Sequence, residues 1–248
     1  MPRKPPKNDS ESSVVDLGVL ASKKNFDSFI DHLFTEEENV PHFDFFSAKG
    51  KQAPVHVIGS DVSEDVILTD LDDVAEMGGG NDVVVGLYGN DTISGGDGGD
   101  FLFGDTDWAV VSGQSSDDVL NGGADDDLIV GDAPNLYGDT VGGNDIIIGG
   151  AGNDDLWGDG SLFDEAVGGA DSFVFNPNSG LDTVHDFEVG KDKLDISGHG
   201  IAETDFLSLN IQEIDGNTII DLDGTALDLD EITLLGVVGI SADDFVFA

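Results

Sequence analysis

Through the middle of the chain, apolar residues recur neither at helical spacing nor in long runs. They return in short triplets every nine positions, each behind a polar, glycine-rich stretch. From Met77 the sequence divides into MGGGNDVVV, GLYGNDTIS and GGDGGDFLF, with Val84, Ile93 and Leu102 at the eighth place. GGADDDLIV at 122–130 and GGAGNDDLW at 149–157 repeat the layout, and the half-preserved QSSDDVLN and GGNDIII precede them. A triplet this short makes one strand, and strand alternation turns its middle side chain to one face. A single repeat cannot bury that face, whereas stacked repeats bury a continuous file. The pattern predicts an all-β fold, a parallel β-roll with two nonapeptides per coil.

The polar positions repeat as strictly. Aspartate occupies the sixth place at Asp82, Asp91, Asp100, Asp118, Asp127, Asp145, Asp154 and Asp171. Gaps of nine alternate with wider gaps of 18, 18 and 17, and each wide gap contains Gly-Asp, at Gly104-Asp105, Gly131-Asp132 and Gly158-Asp159. A longer, 27-residue unit results: an insert led by Gly-Asp, then two nonapeptides. Read as further coils, the inserts would put Ala109, Leu136 and Phe163 at the sixth place and Gly138 and Glu165 at the eighth. No hard-cation ligand and a spoiled core would follow, so the inserts are expected to be loops. Asp82 then faces Asp100, Asp91 faces Asp118, and Asp100 faces Asp127. Asp118 likewise faces Asp145, Asp127 faces Asp154, and Asp145 faces Asp171.

Rows of aspartate beside glycine suit calcium, which takes six to eight oxygens at about 2.3–2.6 Å. Aspartate brings charge on a short arm, and main-chain carbonyls can complete the shell if the backbone turns them inward. Glycine permits such turns. The fourth-place glycines Gly80, Gly89, Gly98 and Gly152 join the eight aspartates as candidate metal-binding positions. Magnesium prefers rigid octahedral sites that keep water. Transition metals favour imidazole or thiolate, yet the five histidines lie outside the repeats and cysteine is absent.

Charge strengthens this reading. Fifty-two acids against nine bases give a formal net charge of −43, and residues 52–190 contain neither Lys nor Arg. A compact body with that charge repels itself unless a cation neutralises it or its acids are solvated as in halophile proteins. Nucleic acid has the wrong sign for a partner. About six calcium ions would bring −43 to roughly −31, inside the roll where repulsion is worst.

These motifs resemble the RTX (repeats-in-toxin), hemolysin-type calcium-binding family, whose members leave bacteria by type I export. The resemblance covers roughly residues 60–248. GGADSFVFNPNSGLDTVHDFEVGKDKLDIS (168–197) is similar to the closing segment of serralysin-type members, through Gly169, Asp171, Phe173, Asp182, Asp186, Phe187, Gly190, Asp192 and Asp195. It implies a β-roll over 61–175 with a β-rich cap over 176–248, and it adds Asp182, Asp186, Asp192 and Asp195 as further candidate calcium ligands. In the cap, Leu207–Ile211 alternates like a half-buried strand, Asp215-Gly216-Asn217 reads as a turn, and Thr218–Leu222 and Ile232–Val237 read as strands. The ending SADDFVFA resembles the family's uncleaved C-terminal export signal; a plain last strand is the other reading. The expected location is secreted, extracellular or at the cell surface, with calcium ions and the type I export machinery as partners.

No catalytic motif accompanies the repeats. No His-Glu-x-x-His and no Gly-x-Ser-x-Gly occurs, and carboxylates loaded with metal stay ionised rather than split into acid and base. The chain is therefore read as non-enzymatic. It is a calcium-binding protein with a binding or structural role, alternatively an accessory module of a secreted enzyme, or a calcium-dependent adhesin or surface-layer component. Residues 1–60 are set apart as an N-terminal segment. Phe26, Phe29, Ile30, Leu33 and Phe34 fall at helical spacing after Asn25, so 26–36 reads as an amphipathic helix. It reads first as a cap on the roll's open end; the alternative is docking to a partner or membrane, to which the run Phe43-Asp44-Phe45-Phe46 lends some support. Val55–Ile58 reads as a first strand, 63–67 as an imperfect first repeat, and 1–24 as disordered.

Overall fold

The computed structural model describes residues 13–16, 44–49, 53–106, 110, 113–224 and 230–248. Strands alternate between two sheets as the chain advances, so that one strand in each sheet completes a coil. Among the described residues the first sheet has nine strands. In order they are Ser13–Asp16, Val55–Ile58, Val74–Gly79, Thr92–Asp97, Val119–Ala124, Ile146–Ala151, Ser172–Val174, Lys193–Asp195 and Phe245–Val246, every neighbouring pair parallel. The second sheet runs Asp44–Ser47, Glu64–Ile67, Val83–Val85, Phe101–Phe103, Leu128–Val130, Asp155–Trp157, Gly180–Val184 and Asp230–Leu234, also in parallel. An antiparallel hairpin, Asn217–Asp221 with Asn210–Ile214, closes it. The fold is a parallel β-roll.

The core lies between the sheets and consists of the eighth-place files. In the second sheet Val84, Leu102, Ile129 and Leu156 sit in register, and in the first sheet Ile93, Leu120, Ile147 and Phe173 do the same; all eight are buried. Each aliphatic side chain withdrawn from water contributes about 1.5–3 kcal/mol, and it does so only when the coils above and below are present. Tight stacking also explains the second-place glycines. Gly96 and Gly123 have φ of 114° and 122°, and a Cβ on Gly123 would overlap the Gly96 carbonyl one coil away.

The inserts leave the roll, as the period of 27 predicts, and then stack on one another. Asn135–Leu136 pairs in parallel with Ser161–Leu162, and bridges join Val110 to Leu136, Gln114 to Val141, and Val141 to Val167. Val110, Ala133 and Leu136 form a separate small core, and the rings of Tyr137 and Phe163 stack at 4.7 Å.

Several expectations need adjustment. The stacked sheets begin before residue 61: Asp44–Ser47 and Val55–Ile58 already pair with Glu64–Ile67 and Val74–Gly79. Part of the aromatic run 43–46 is thus spent on a terminal strand, with Phe46 packed against the core. Ser13–Asp16, inside the stretch read as disordered, forms a strand beside Val55–Ile58; the helix read over 26–36 lies outside the described residues. In the cap, Leu207 belongs to a 3-10 helix, Glu203–Ser208, and is 94% exposed. The strand starts later, at Asn210, because the turn at Asp215-Gly216, both at positive φ, pairs Ile214 with Asn217 and so fixes the register. That strand lies on the sheet's edge with its side chains largely exposed.

Candidate calcium-binding rows

Each coil makes two turns, and an aspartate ends each one. On the edge where the chain passes from the first sheet to the second, Asp82, Asp100, Asp127, Asp154 and Asp182 form a row. On the opposite edge, which carries the inserts, Asp73, Asp91, Asp118, Asp145, Asp171 and Asp192 form another. One hydrogen bond repeats throughout: the backbone N–H of each aspartate donates to Oδ1 of the aspartate one coil on. The distances are 2.8 Å for Asp82 to Asp100 and 2.7 Å for both Asp91 to Asp118 and Asp100 to Asp127. They are 2.8 Å for Asp118 to Asp145 and 2.9 Å for both Asp127 to Asp154 and Asp145 to Asp171. These six pairs are the ones expected with the inserts looped out. Two further bonds extend the rows, Asp154 to Asp182 at 3.1 Å and Asp171 to Asp192 at 3.0 Å.

The two carboxylate oxygens therefore have different fates. Oδ1 is used by the ladder, while Oδ2 of Asp82, Asp91, Asp100, Asp118, Asp127, Asp145, Asp154, Asp171 and Asp182 is buried without any hydrogen-bond partner. A single buried, unsatisfied charged oxygen is costly; nine in two lines call for a common ligand. Glycine keeps the space open. A Cβ on Gly95, Gly122 or Gly149 would overlap Oδ2 of Asp100, Asp127 or Asp154, and one on Gly104 or Gly131 would overlap Oδ2 of Asp118 or Asp145 and the glycine carbonyl of the next coil. Acidic oxygens, adjacent main-chain carbonyls and the absence of nitrogen or sulfur donors fit a hard cation. Among the described residues no three acidic or histidine side chains converge on one point, so a cation held here would have to draw on the main chain as well.

Burial raises the affinity of these groups for protons, and neighbouring carboxylates add to it. The carboxyl of Asp91 is pushed up to about 9, Asp118 and Asp127 to about 8, and Asp171 to about 9. Asp82 and Asp182 rise to about 7 and Asp100 and Asp154 to about 6, while Asp145 is driven well above the ordinary carboxylate range. In each case the N–H donated by the previous coil works in the opposite direction, but desolvation dominates.

The other candidates are distributed unevenly. Gly80, Gly89 and Gly98 have φ of 108°, 112° and 117°, whereas Gly152 does not have positive φ; Asp125 takes the equivalent fourth place with φ of 74°. Asp182 joins its row with a free Oδ2. Asp192 ends the other row, but its Oδ2 accepts from Glu188 N–H at 2.7 Å. Asp186 accepts three N–H groups, from Gly158, Asp159 and Gly160. Asp195 lies in neither row; it accepts from Ser197 N–H two residues on. Sequence reasoning missed Asp73, whose Oδ2 is taken by Thr69, and treated Asp105, Asp132 and Asp159 only as markers of the inserts. All three are buried, and their recurrence every 27 residues was the available signal.

A family model describing the RTX calcium-binding nonapeptide repeat matches in four copies, over residues 78–107, 109–133 and 139–161. No curated protein matches the chain. The matched residues are the coils whose turns build the middle of the two aspartate rows, and the chain carries RTX calcium-binding nonapeptide repeats.

Proposed function

We propose that the chain is a calcium-dependent folding module that is exported, folds on calcium outside the cell, and acts there in a non-catalytic binding or structural role. The two lines of unpartnered Oδ2 atoms carry this reading. Asp82, Asp91, Asp100, Asp118, Asp127, Asp145, Asp154, Asp171 and Asp182 hold the ions, with glycine carbonyls of the turns completing each shell, and about six ions occupy the roll. Bound calcium supplies the positive charge that lets adjacent buried carboxylates ionise together. The chain's own part is to align those carboxylates, and it can do so only when the coils stack. Occupancy is therefore folding free energy. Extracellular calcium modules bind at about 10⁻⁴–10⁻³ M, so the chain would remain loose at cytosolic calcium levels and fold after export.

Far-UV circular dichroism of metal-stripped protein during a calcium titration, with magnesium as control, tests the reading. A cooperative gain of β signal with calcium alone is expected, and it should be lost in the double variant Asp100→Ala, Asp127→Ala. A β-rich spectrum that calcium leaves unchanged would overturn it and return the acids to the role of a solvated surface.

A further inference from the structure

The outer face of the second sheet carries side chains that neither the core nor the aspartate rows use. Phe101 and Phe103 flank the buried Leu102, so strand alternation turns both outward, and Phe101 is 47% exposed. Two coils further on, Trp157 stands in register with Phe103 on that same face, two positions after Asp155. Its neighbours across the sheet are Val130 in the preceding coil and His185, just past the strand of the following one. The His185 imidazole stacks on the indole with ring centres 3.8 Å apart and planes 9° apart. Its Nε2 pairs with Asp155 Oδ1 at 2.7 Å.

One face of the indole is thereby occupied and the ring's orientation fixed. The other face turns toward the preceding coil, where it walls a cavity of about 190 Å³ lined by Leu128, Val130, Pro134, Trp157, Gly160 and Ser161. The sheet supplies Leu128, Val130 and Trp157, and the second and third inserts supply the rest. An apolar cavity of about 150 Å³ accepts a benzene-sized guest, whereas drug-sized ligands need about 300 Å³ or more. The space takes one planar group.

Charge selects which. The lining holds no ionised side chain, and residues 52–190 supply neither Lys nor Arg to a molecule with a net charge of −43. Asp155, the register neighbour of Leu128, gives only one carboxylate oxygen to His185. An anion is repelled, and a neutral ring gains nothing from the field. A cation gains from the field and from the indole face together. A guanidinium suits the shape best. It is planar and stacks on an aromatic face as the His185 ring does on the opposite side, while its methylene stem suits the aliphatic floor of Leu128 and Val130.

We propose that the cavity beside Trp157 receives an arginine side chain of a basic polypeptide, whose neighbouring apolar residues lie along the strip of Phe103 and Phe101. A free inorganic cation would use neither the indole nor that strip. The inference gives a partner class to the binding role proposed above and rests on it, because sheet and inserts meet only in the folded roll.

The chain has two tryptophans, so Trp108→Phe assigns the Trp157 indole N–H signal in NMR spectra of the full chain at saturating calcium. Titration with the peptide acetyl-Gly-Arg-Gly-amide should move that signal saturably, and further than any signal of the exposed turns. The citrulline peptide, planar but uncharged, should bind about three- to tenfold more weakly. Trp157→Leu should weaken the arginine peptide by a similar factor, read at the Ser161 N–H. Equal affinity for the two peptides, or unchanged affinity in Trp157→Leu, overturns the proposal. If Trp157→Leu does not fold with calcium, the peptide comparison on the parent protein decides alone. Methyl glucoside moving the Trp157 signal where the arginine peptide does not would make the cavity a sugar site and overturn the proposal. Movement spread evenly over the acidic turns would mean a diffuse counter-ion cloud and overturn it too. A spectrum left undispersed by calcium overturns the calcium-folding reading together with this inference. A dispersed spectrum in which the arginine peptide leaves Trp157 unmoved overturns this inference alone.

Discussion

At the scale of single residues, division of labour within one carboxylate explains why aspartate recurs. Oδ1 of Asp127 accepts the Asp100 N–H, and Oδ2 is left without a protein partner. The glycine at the first place of the repeat is fixed by that second oxygen. A methyl group on Gly122 would overlap Asp127 Oδ2 and crowd the Gly149 carbonyl. Gly122→Ala is therefore expected to destabilise the calcium-loaded roll by about 1–3 kcal/mol, seen as a lower melting temperature at saturating calcium. Gly113→Ala differs, because no atom lies near its Cβ and only its backbone conformation, φ 111°, opposes the change. Equal melting temperatures for Gly122→Ala and the parent protein would rule out the crowded cradle.

Strands of three residues carry little stability of their own, and the element scale is where the eighth-place files matter. Ile129 lies between Leu102 and Leu156 in register, fully buried. Truncating it leaves a cavity bounded by backbone that cannot collapse, since the adjacent strands are held by parallel pairing on both sides. Ile129→Ala should cost about 2–5 kcal/mol, measured by urea denaturation at saturating calcium. It should also shift the calcium midpoint upward, because the ion rows and the apolar files assemble in one step. A calcium midpoint identical to that of the parent protein would mean that rows and files form independently. At this scale the inserts are elements too. They build a short ladder of their own rather than hanging as independent loops.

For the whole molecule, charge decides which state is populated. With a net charge of −43, the metal-free chain gains stability wherever its carboxyls are protonated. The sign follows from the raised proton affinities. An unfolded aspartate loses its proton near pH 4, whereas the buried rows keep theirs up to about 6 at Asp100 and about 9 at Asp91. Between these limits the folded metal-free form binds more protons than the unfolded one, so its stability falls as pH rises. Chelator-treated protein should therefore gain β signal on acidification from pH 7.5 to about 4.5, and the further gain caused by calcium should shrink there. This is read by circular dichroism across pH with and without calcium. A metal-free chain that becomes more β-rich as pH rises would contradict the burial of the rows.

Much of this was determined by the sequence alone. The nine-residue period set strand and turn, the 27-residue period set which aspartates face each other, and the lack of ligands in the inserts set them outside the roll. Those features are local and repeated, so each copy reports on the others. Tertiary structure alone decided the rest, because it concerns contacts between unlike segments. Asp186 and Asp195 look alike in the closing segment, yet one accepts three N–H groups at the third insert's root and the other accepts the Ser197 N–H two residues on. The N-terminal strands join the sheets by pairing that no repeat announces. Asp105, Asp132 and Asp159 are each followed by inserts of dissimilar sequence, and only stacking those inserts sets Asp132 beside both Asp105 and Asp159. Period fixes register along a solenoid; what gathers at its side depends on packing between residues that no pattern relates.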